Sequence, residues 1–220
     1  MKRILIPVLT ILVGAVLAPF GCGSSGSDTP STGTGGTTMG TGGTTVGPGG
    51  TAAKTIEDLI PKANDIPGWN LDSTNPKTAG KLAAFGKTKS EAESLIDGSA
   101  AAFFTAPYTS VLAWQNYTNA NGYSVDLRFW QMPSVALATS LFTELAANHP
   151  LYKNNTWTAL TGLGDEARLT NTGTTWWINL RKDAYITEIT VDKPPSGSEE
   201  SDTTGRDVAK AYAAELVKRF

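Results

Sequence analysis

The 220-residue chain has a net charge of −2, one cysteine, one histidine, and 40% hydrophobic against 17% charged residues. A lone cysteine excludes a disulfide-stapled fold, so the chain must live on its own core. No block of Lys and Arg occurs, which argues against nucleic acid as a partner and against insertion of an amphipathic helix into a membrane.

Residues 4–20 form an apolar run behind Lys2 and Arg3, interrupted by Pro7, Gly14 and Pro19. A membrane-spanning helix wants roughly 20 uninterrupted apolar residues, so residues 1–21 read as a cleavable export leader. Cys22 follows Gly21 directly, placing a thiol behind a small residue at the cleavage point. The segment Leu17-Ala18-Pro19-Phe20-Gly21-Cys22 resembles the bacterial lipobox, with Pro19 and Phe20 where an aliphatic and a smaller residue are usual. The resemblance implies a lipidated Cys22; the alternative is ordinary signal-peptidase cleavage near Gly23. Either way the chain is expected in the cell envelope, with its body in the periplasm or at the cell surface. Gly23 stands where an aspartate often retains lipoproteins at the inner membrane, which by analogy favours the outer one.

Residues 22–53 are almost entirely Gly, Thr and Ser with scattered Pro. Such a segment cannot bury enough apolar area to offset its chain entropy, and it is expected to be a disordered tether with a reach of about 30 Å. Its composition is similar to tethers of myxobacterial lipoproteins. Loss of Lys2 and Arg3 with the leader takes the net charge from −2 to −4.

Residues 54–220 read as one globular domain of α+β class. Thr55 and Asp58 frame the start of a short helix (IEDLI) stopped by Pro61, and a loop with Ile66-Pro67-Gly68-Trp69 follows. Across 89–105, Ala92, Leu95, Ile96, Ala100 and Phe103 recur at helical spacing, with Gly98 inside the pattern. Strands over 111–118 and 123–131 flank Asn119-Ala120-Asn121-Gly122, a hairpin signal. Tyr123, Val125, Leu127 and Phe129 share the core face of the second strand, and Ser124, Asp126, Arg128 and Trp130 share the other. Pro133 opens a helix whose stripe is Val135, Ala138, Leu141, Phe142 and Leu145, stopped by His149-Pro150.

Three further strands, 166–170, 175–181 and 184–192, are joined by turns at Asn171-Thr172-Gly173 and Lys182-Asp183. After a polar loop (KPPSGSEESD), a closing helix over 203–220 turns Val208, Ala209, Tyr212, Ala213, Leu216 and Phe220 inward. Strand, strand, helix occurs twice. This order predicts one curved antiparallel sheet with two main helices packed on its face, and a decayed duplication is one reading of it.

Gly162-Leu163-Gly164-Asp165-Glu166-Ala167, with the strand pair WWINLRKDAYITEITV and the closing helix, resembles the extracellular sensor-like domain of mycobacterial serine/threonine kinases. Ile66-Pro67-Gly68-Trp69, IDGSAAAFF and the hairpin running into Gln131-Met132-Pro133-Ser134 look like an uncharacterised bacterial lipoprotein family of α+β type. Each resemblance covers about half of the domain. They imply fold and address, and neither family offers catalytic residues to carry over.

Gly162-x-Gly164 precedes a strand rather than a helix, so it reads as a turn and not a phosphate loop. Adjacent Asp165 and Glu166 are expected to point to opposite faces without converging. His149 is the sole histidine and has no cysteine near it, which leaves it a loop residue and leaves no metal site or cofactor expected. Gly-x-Ser-x-Gly and Ser-x-x-Lys are absent outside the tether, so nucleophilic catalysis is not expected. Six tryptophans remain. Trp176 and Trp177 must face opposite sides of their strand, and Trp177 with Trp130 makes a candidate aromatic platform flanked by Arg128, Arg181 and Asp126, for a glycan, peptide or envelope protein. The alternative is that the helix near Leu95–Phe104 covers that face, leaving Asp126–Arg128 and Glu188–Arg181 as surface pairs worth at most about 1 kcal/mol each. The function expected is a non-catalytic, lipid-anchored binding module. Its rival is a wall- or glycan-acting enzyme drawing carboxylates from Asp126, Asp165, Glu166 or Glu188.

Overall fold

A computed structural model describes residues 54–96, 100–149, 152–173, 175–194 and 202–220. The leader, Cys22, the tether, Gly98 and most of the polar loop before the closing helix lie outside the described residues. The elements are α1 (Ile56–Leu59), β1 (Trp69–Leu71), β2 (Ala84–Gly86), α2 (Lys89–Ile96), α3 (Ala101–Phe104), β3 (Val111–Asn119), β4 (Ser124–Gln131), α4 (Val135–Asn148), β5 (Thr158–Leu160), β6 (Glu166–Asn171), β7 (Thr175–Lys182), β8 (Tyr185–Asp192) and α5 (Asp202–Val217).

Local chemistry sets most boundaries. Thr55 Oγ1 accepts from the Asp58 N–H while the Asp58 carboxylate accepts from the Thr55 N–H at 2.9 Å, a complete capping box for α1. Asn119 closes the β3–β4 turn by accepting from the N–H groups of Asn121 and Tyr123, both at 3.0 Å, and Gly122 supplies φ +82°. Ser134 caps α4 by accepting from Leu137 N–H, so Pro133 precedes the helix instead of opening it. Val135 then falls on the outer side of the first turn and is 51% exposed, whereas Ala138, Leu141, Phe142 and Leu145 are buried as expected. The helical stretch 89–105 is two helices, α2 and α3.

All strand pairs are antiparallel, in the order β1-β3-β4-β8-β7-β6-β5, with β2 beside β1 on the same edge of β3. The curved α+β sheet is as expected, with helices on both of its faces. Val125, Leu127 and Phe129 of β4 pack with Ile189 and Val191 of β8, Ile178 and Leu180 of β7, and Ala209, Tyr212, Ala213 and Leu216 of α5. The opposite face buries Trp130 and Ile186 under α2, α3 and α4. A two-fold that exchanges antiparallel β4 and β8 runs normal to the sheet and would set both helices on one side. Since α4 and α5 lie on opposite sides, the repeated strand-strand-helix order has no such two-fold in space.

Gly86 fixes α2 against the sheet. A Cβ there would stand 2.8 Å from both Cα and N of Ala92, backbone atoms of α2 that cannot yield locally. Gly86→Ala is expected to cost about 1–3 kcal/mol, read as a lowered urea midpoint with an unchanged slope.

Candidate functional site

Trp130, Arg128, Arg181, Asp126 and Trp177 share one face of the sheet, as their alternation predicts. They do not form an exposed platform. Trp130 is fully buried, with Phe103 of α3 stacked on it at 3.8 Å and 7°, and Phe104 edge-on at 6.3 Å. The covering-helix alternative is the one realised, because α3 lays two phenylalanines on the indole. Trp177 is half-buried and meets Tyr152 edge-on at 6.0 Å. The two tryptophans are also far apart: Trp130 pairs with Ile186 and Trp177 with Thr190, on strands flanking β8. That is about 13 Å along the strands and about 10 Å across them.

Between them runs a polar row. Trp114, Arg128, Glu188, Asn179 and Arg168 are consecutive cross-strand partners on β3, β4, β8, β7 and β6. Glu188 is buried, and its Oε2 accepts from Trp130 Nε1 at 2.8 Å. Burial pushes its carboxyl above the usual glutamate value, and the Asp126 charge adds to this. Arg128 and the indole N–H pull the other way. Arg128 gives Nε and Nη2 to the two oxygens of Asp126, at 2.9 and 3.2 Å. Glu188 faces Arg128 and Trp130, not Arg181 as the sequence suggests.

Arg181 serves a different structure. Its Nε donates to Glu166 at 2.8 Å and its Nη1 to Asp165 at 3.0 Å, so the adjacent carboxylates do converge. The expectation of opposite faces fails because Asp165 sits in a turn shaped by Gly162 (φ +79°) and Gly164 (φ +63°), outside the extended strand. A Cβ on Gly164 would lie 2.5 Å from the Arg181 carbonyl oxygen, which itself accepts from Asp165 N–H at 2.8 Å. Asp165 also accepts from Lys182 Nζ and from Asp183 N–H, each at 2.8 Å. These donors, Lys182 foremost, hold its carboxyl below the usual aspartate value. The Gly-x-Gly-Asp-Glu motif is thus a clamp on the β7–β8 hairpin.

Two cavities have described linings. One, of about 200 Å³, lies beside α4 between Ala102, Leu141, Glu144 and His149. Burial lowers the His149 pKa, and among the described residues no group of His, Cys, Asp and Glu is placed to hold a metal. The other, of about 480 Å³, lies where β5 begins, between Asn154, Asn155, Thr156 and Thr158 on one side and Asn171 and Trp176 on the other, with Leu169 and Thr170 completing it. No charged residue lines it. Asn154-Asn155-Thr156 reads in sequence only as a loop, and Trp176 only as a strand residue. Arg168 carries no sequence signal either, since a lone cation on an alternating strand reads as a solvated one.

Glu188 supplies a test of the buried row. Its raised pKa means the folded state holds the proton more tightly than the unfolded chain. That stability is present below the ordinary glutamate range and is lost as pH rises through the raised value. Glu188→Gln keeps an acceptor for Trp130 without the charge, so it is expected to gain on the wild type with rising pH, by up to about 1.4 kcal/mol per pH unit within that window. Urea unfolding from pH 4 to 8 reads this. A pH-independent difference contradicts it.

No protein-family model, curated protein or solved structure matches this chain.

Proposed function

We propose that this chain is an exported, lipid-anchored cell-envelope protein whose globular part is a non-catalytic module binding a neutral glycan in the groove between residues 154–158 and the β6–β7 edge. The observation that carries the reading is the groove itself: about 480 Å³, edged by asparagine and threonine side chains and Trp176, and uncharged. That volume falls in the usual range of small-ligand sites. Carboxamides and hydroxyls present donors and acceptors that match sugar hydroxyls, and an indole offers an apolar surface to the C–H face of a ring. A charged ligand would find no counter-ion there.

The catalytic alternative has less support. Asp126 is engaged by Arg128, Asp165 and Glu166 by Arg181, and Glu188 is buried against Trp130. None of the four lines either cavity. Anchoring rests on Cys22 and the export leader. Among the described residues no helix is long and apolar enough to cross a membrane.

Titration calorimetry with neutral N-acetylglucosamine oligomers is expected to show saturable binding without product formation. Asn171→Ala and Asn154→Ala, both at exposed positions, should each weaken it several-fold, about 1 kcal/mol for a lost hydrogen bond. Absence of binding, or turnover abolished by a single carboxylate substitution, overturns the reading. For the anchor, Cys22→Ser is expected to move the protein from the membrane to the soluble fraction of the producing bacterium.

A further inference from the structure

Five arginines lie among the described residues, and four spend their Nε–H on an acceptor: Arg128 on Asp126, Arg181 on Glu166, Arg206 on Asp207 and Arg219 on the Leu59 carbonyl. Arg168 is the exception. It is only 9% exposed, and its Nε and Nη2 are buried with no hydrogen-bond partner. Those two nitrogens share one edge of the guanidinium, so their N–H bonds run parallel and in plane, the two-pronged geometry that a carboxylate's oxygens complete. Phe142 at 4.1 Å and Trp157 at 5.1 Å engage the guanidinium through their rings. Cation–π contact satisfies the faces of the cation and leaves its in-plane donors unmet. Leaving charged donors buried and unpaired costs several kcal/mol, a deficit that an arriving acceptor would cancel.

The neighbourhood extends the pattern. Asn179, the cross-strand partner of Arg168, is 1% exposed, and its Nδ2 has no partner. Trp177, two residues along the same strand and face, has a buried Nε1 that is likewise unpartnered. All are donors. The nearest carboxylate along the strand, Glu166, is bound to Arg181. Burial pulls the Arg168 pKa down to about 10 against the opposing effect of Glu166, which leaves the cation charged at neutral pH. Around it, Tyr152 packs on Trp157 at 5.9 Å and on Trp177 at 6.0 Å, so the surroundings are aromatic. Trp157 is half-buried between exposed Thr156 and Thr158, which makes this loop the solvent side.

We infer that Arg168, with Asn179 and Trp177, is a receptor for a small monocarboxylate with an apolar body, seated against the aromatic wall of Phe142, Tyr152, Trp157 and Trp177. One guanidinium charge matches one carboxylate, the parallel edge takes both of its oxygens, and the aromatic side chains take the body. This site is separate from the neutral groove, and its test does not depend on glycan binding.

The Arg168 side chain reports directly. In the full-length protein labelled with ¹⁵N-arginine, titration with sodium benzoate at fixed ionic strength is expected to move the Arg168 Nε–H resonance saturably while those of Arg206 and Arg219 stay in place. Benzamide, the neutral isostere, and inorganic phosphate should leave it unmoved. Arg168→Lys keeps the charge without the two-donor edge and should bind benzoate at least tenfold more weakly by calorimetry. The wild-type titration stands alone if that variant does not fold. An Nε–H signal unmoved by benzoate, equal response to phosphate, or undiminished affinity in folded Arg168→Lys overturns the proposal.

Discussion

Helices on both faces of the sheet oblige the central strands to bury most of what they carry, and this constraint governs the rest of the molecule. On the α5 side the demand is met with aliphatic and aromatic residues alone on β4, Val125, Leu127 and Phe129. On the other side the same strand presents Trp130, fully buried, together with Asp126 and Arg128, each about a quarter exposed, and all three are paired within the fold. The Trp130–Glu188 hydrogen bond and the Asp126–Arg128 fork are the result, and Phe103 seals the indole that makes the first of them. Removing one member of the buried Trp130–Glu188 bond leaves the other unpaired and is costly, and because this bond joins β4 to β8 it acts on their register, whereas the Asp126–Arg128 fork lies within β4.

Charge elsewhere is committed to joining parts that are distant in sequence. Arg219, next to last in the chain, donates to the carbonyls of Asp58, Leu59 and Ile60 and to Asp65, and so closes the C-terminal end of α1, whose own carbonyls would otherwise lack donors. Lys54 reciprocates by donating to the Arg219 carbonyl. Arg181 and Lys182 tie the 162–166 turn to the β7–β8 hairpin through Asp165. The described groove at the β5 edge has no charged residue in its lining, which consists of asparagine, threonine, Leu169 and Trp176.

What the sequence revealed follows how local each determinant is. Asn119 and Gly122 sit within the turn they form, so the β3–β4 hairpin and the division of β4 into two faces were legible, as were β6, β7, β8 and the inward residues of α5. The strands β1, β2 and β5 have three residues each, too few to display a period, and they exist because β3 and β6 offer them an edge. Exposure of the Trp130 face was not decidable locally, since it depends on where α3 lands after a loop. Asp165 and Glu166 escape the alternation rule for a related reason: it holds for extended chain, and two positive-φ glycines interrupt the extended chain just before Glu166. Arg168 was invisible because its burial comes from Phe142, on a helix that leaves the sheet at β4 and returns at β5.

That crossing also explains why the groove lies where it does. β5 pairs with only Ala167, Arg168 and Leu169, so Thr170 and Asn171 run past its end while still pairing with β7 on their other side. An edge strand that outruns its neighbour presents unpaired backbone groups, a liability for strand addition by another chain. Here the 154–158 loop turns back across the overhang, and it brings Asn and Thr side chains in place of a strand. The arrangement leaves a cavity of about 480 Å³ where a longer β5 would have filled the space. A shortened strand is therefore what converts a sheet edge into a polar cleft, and lengthening β5 would be expected to close it.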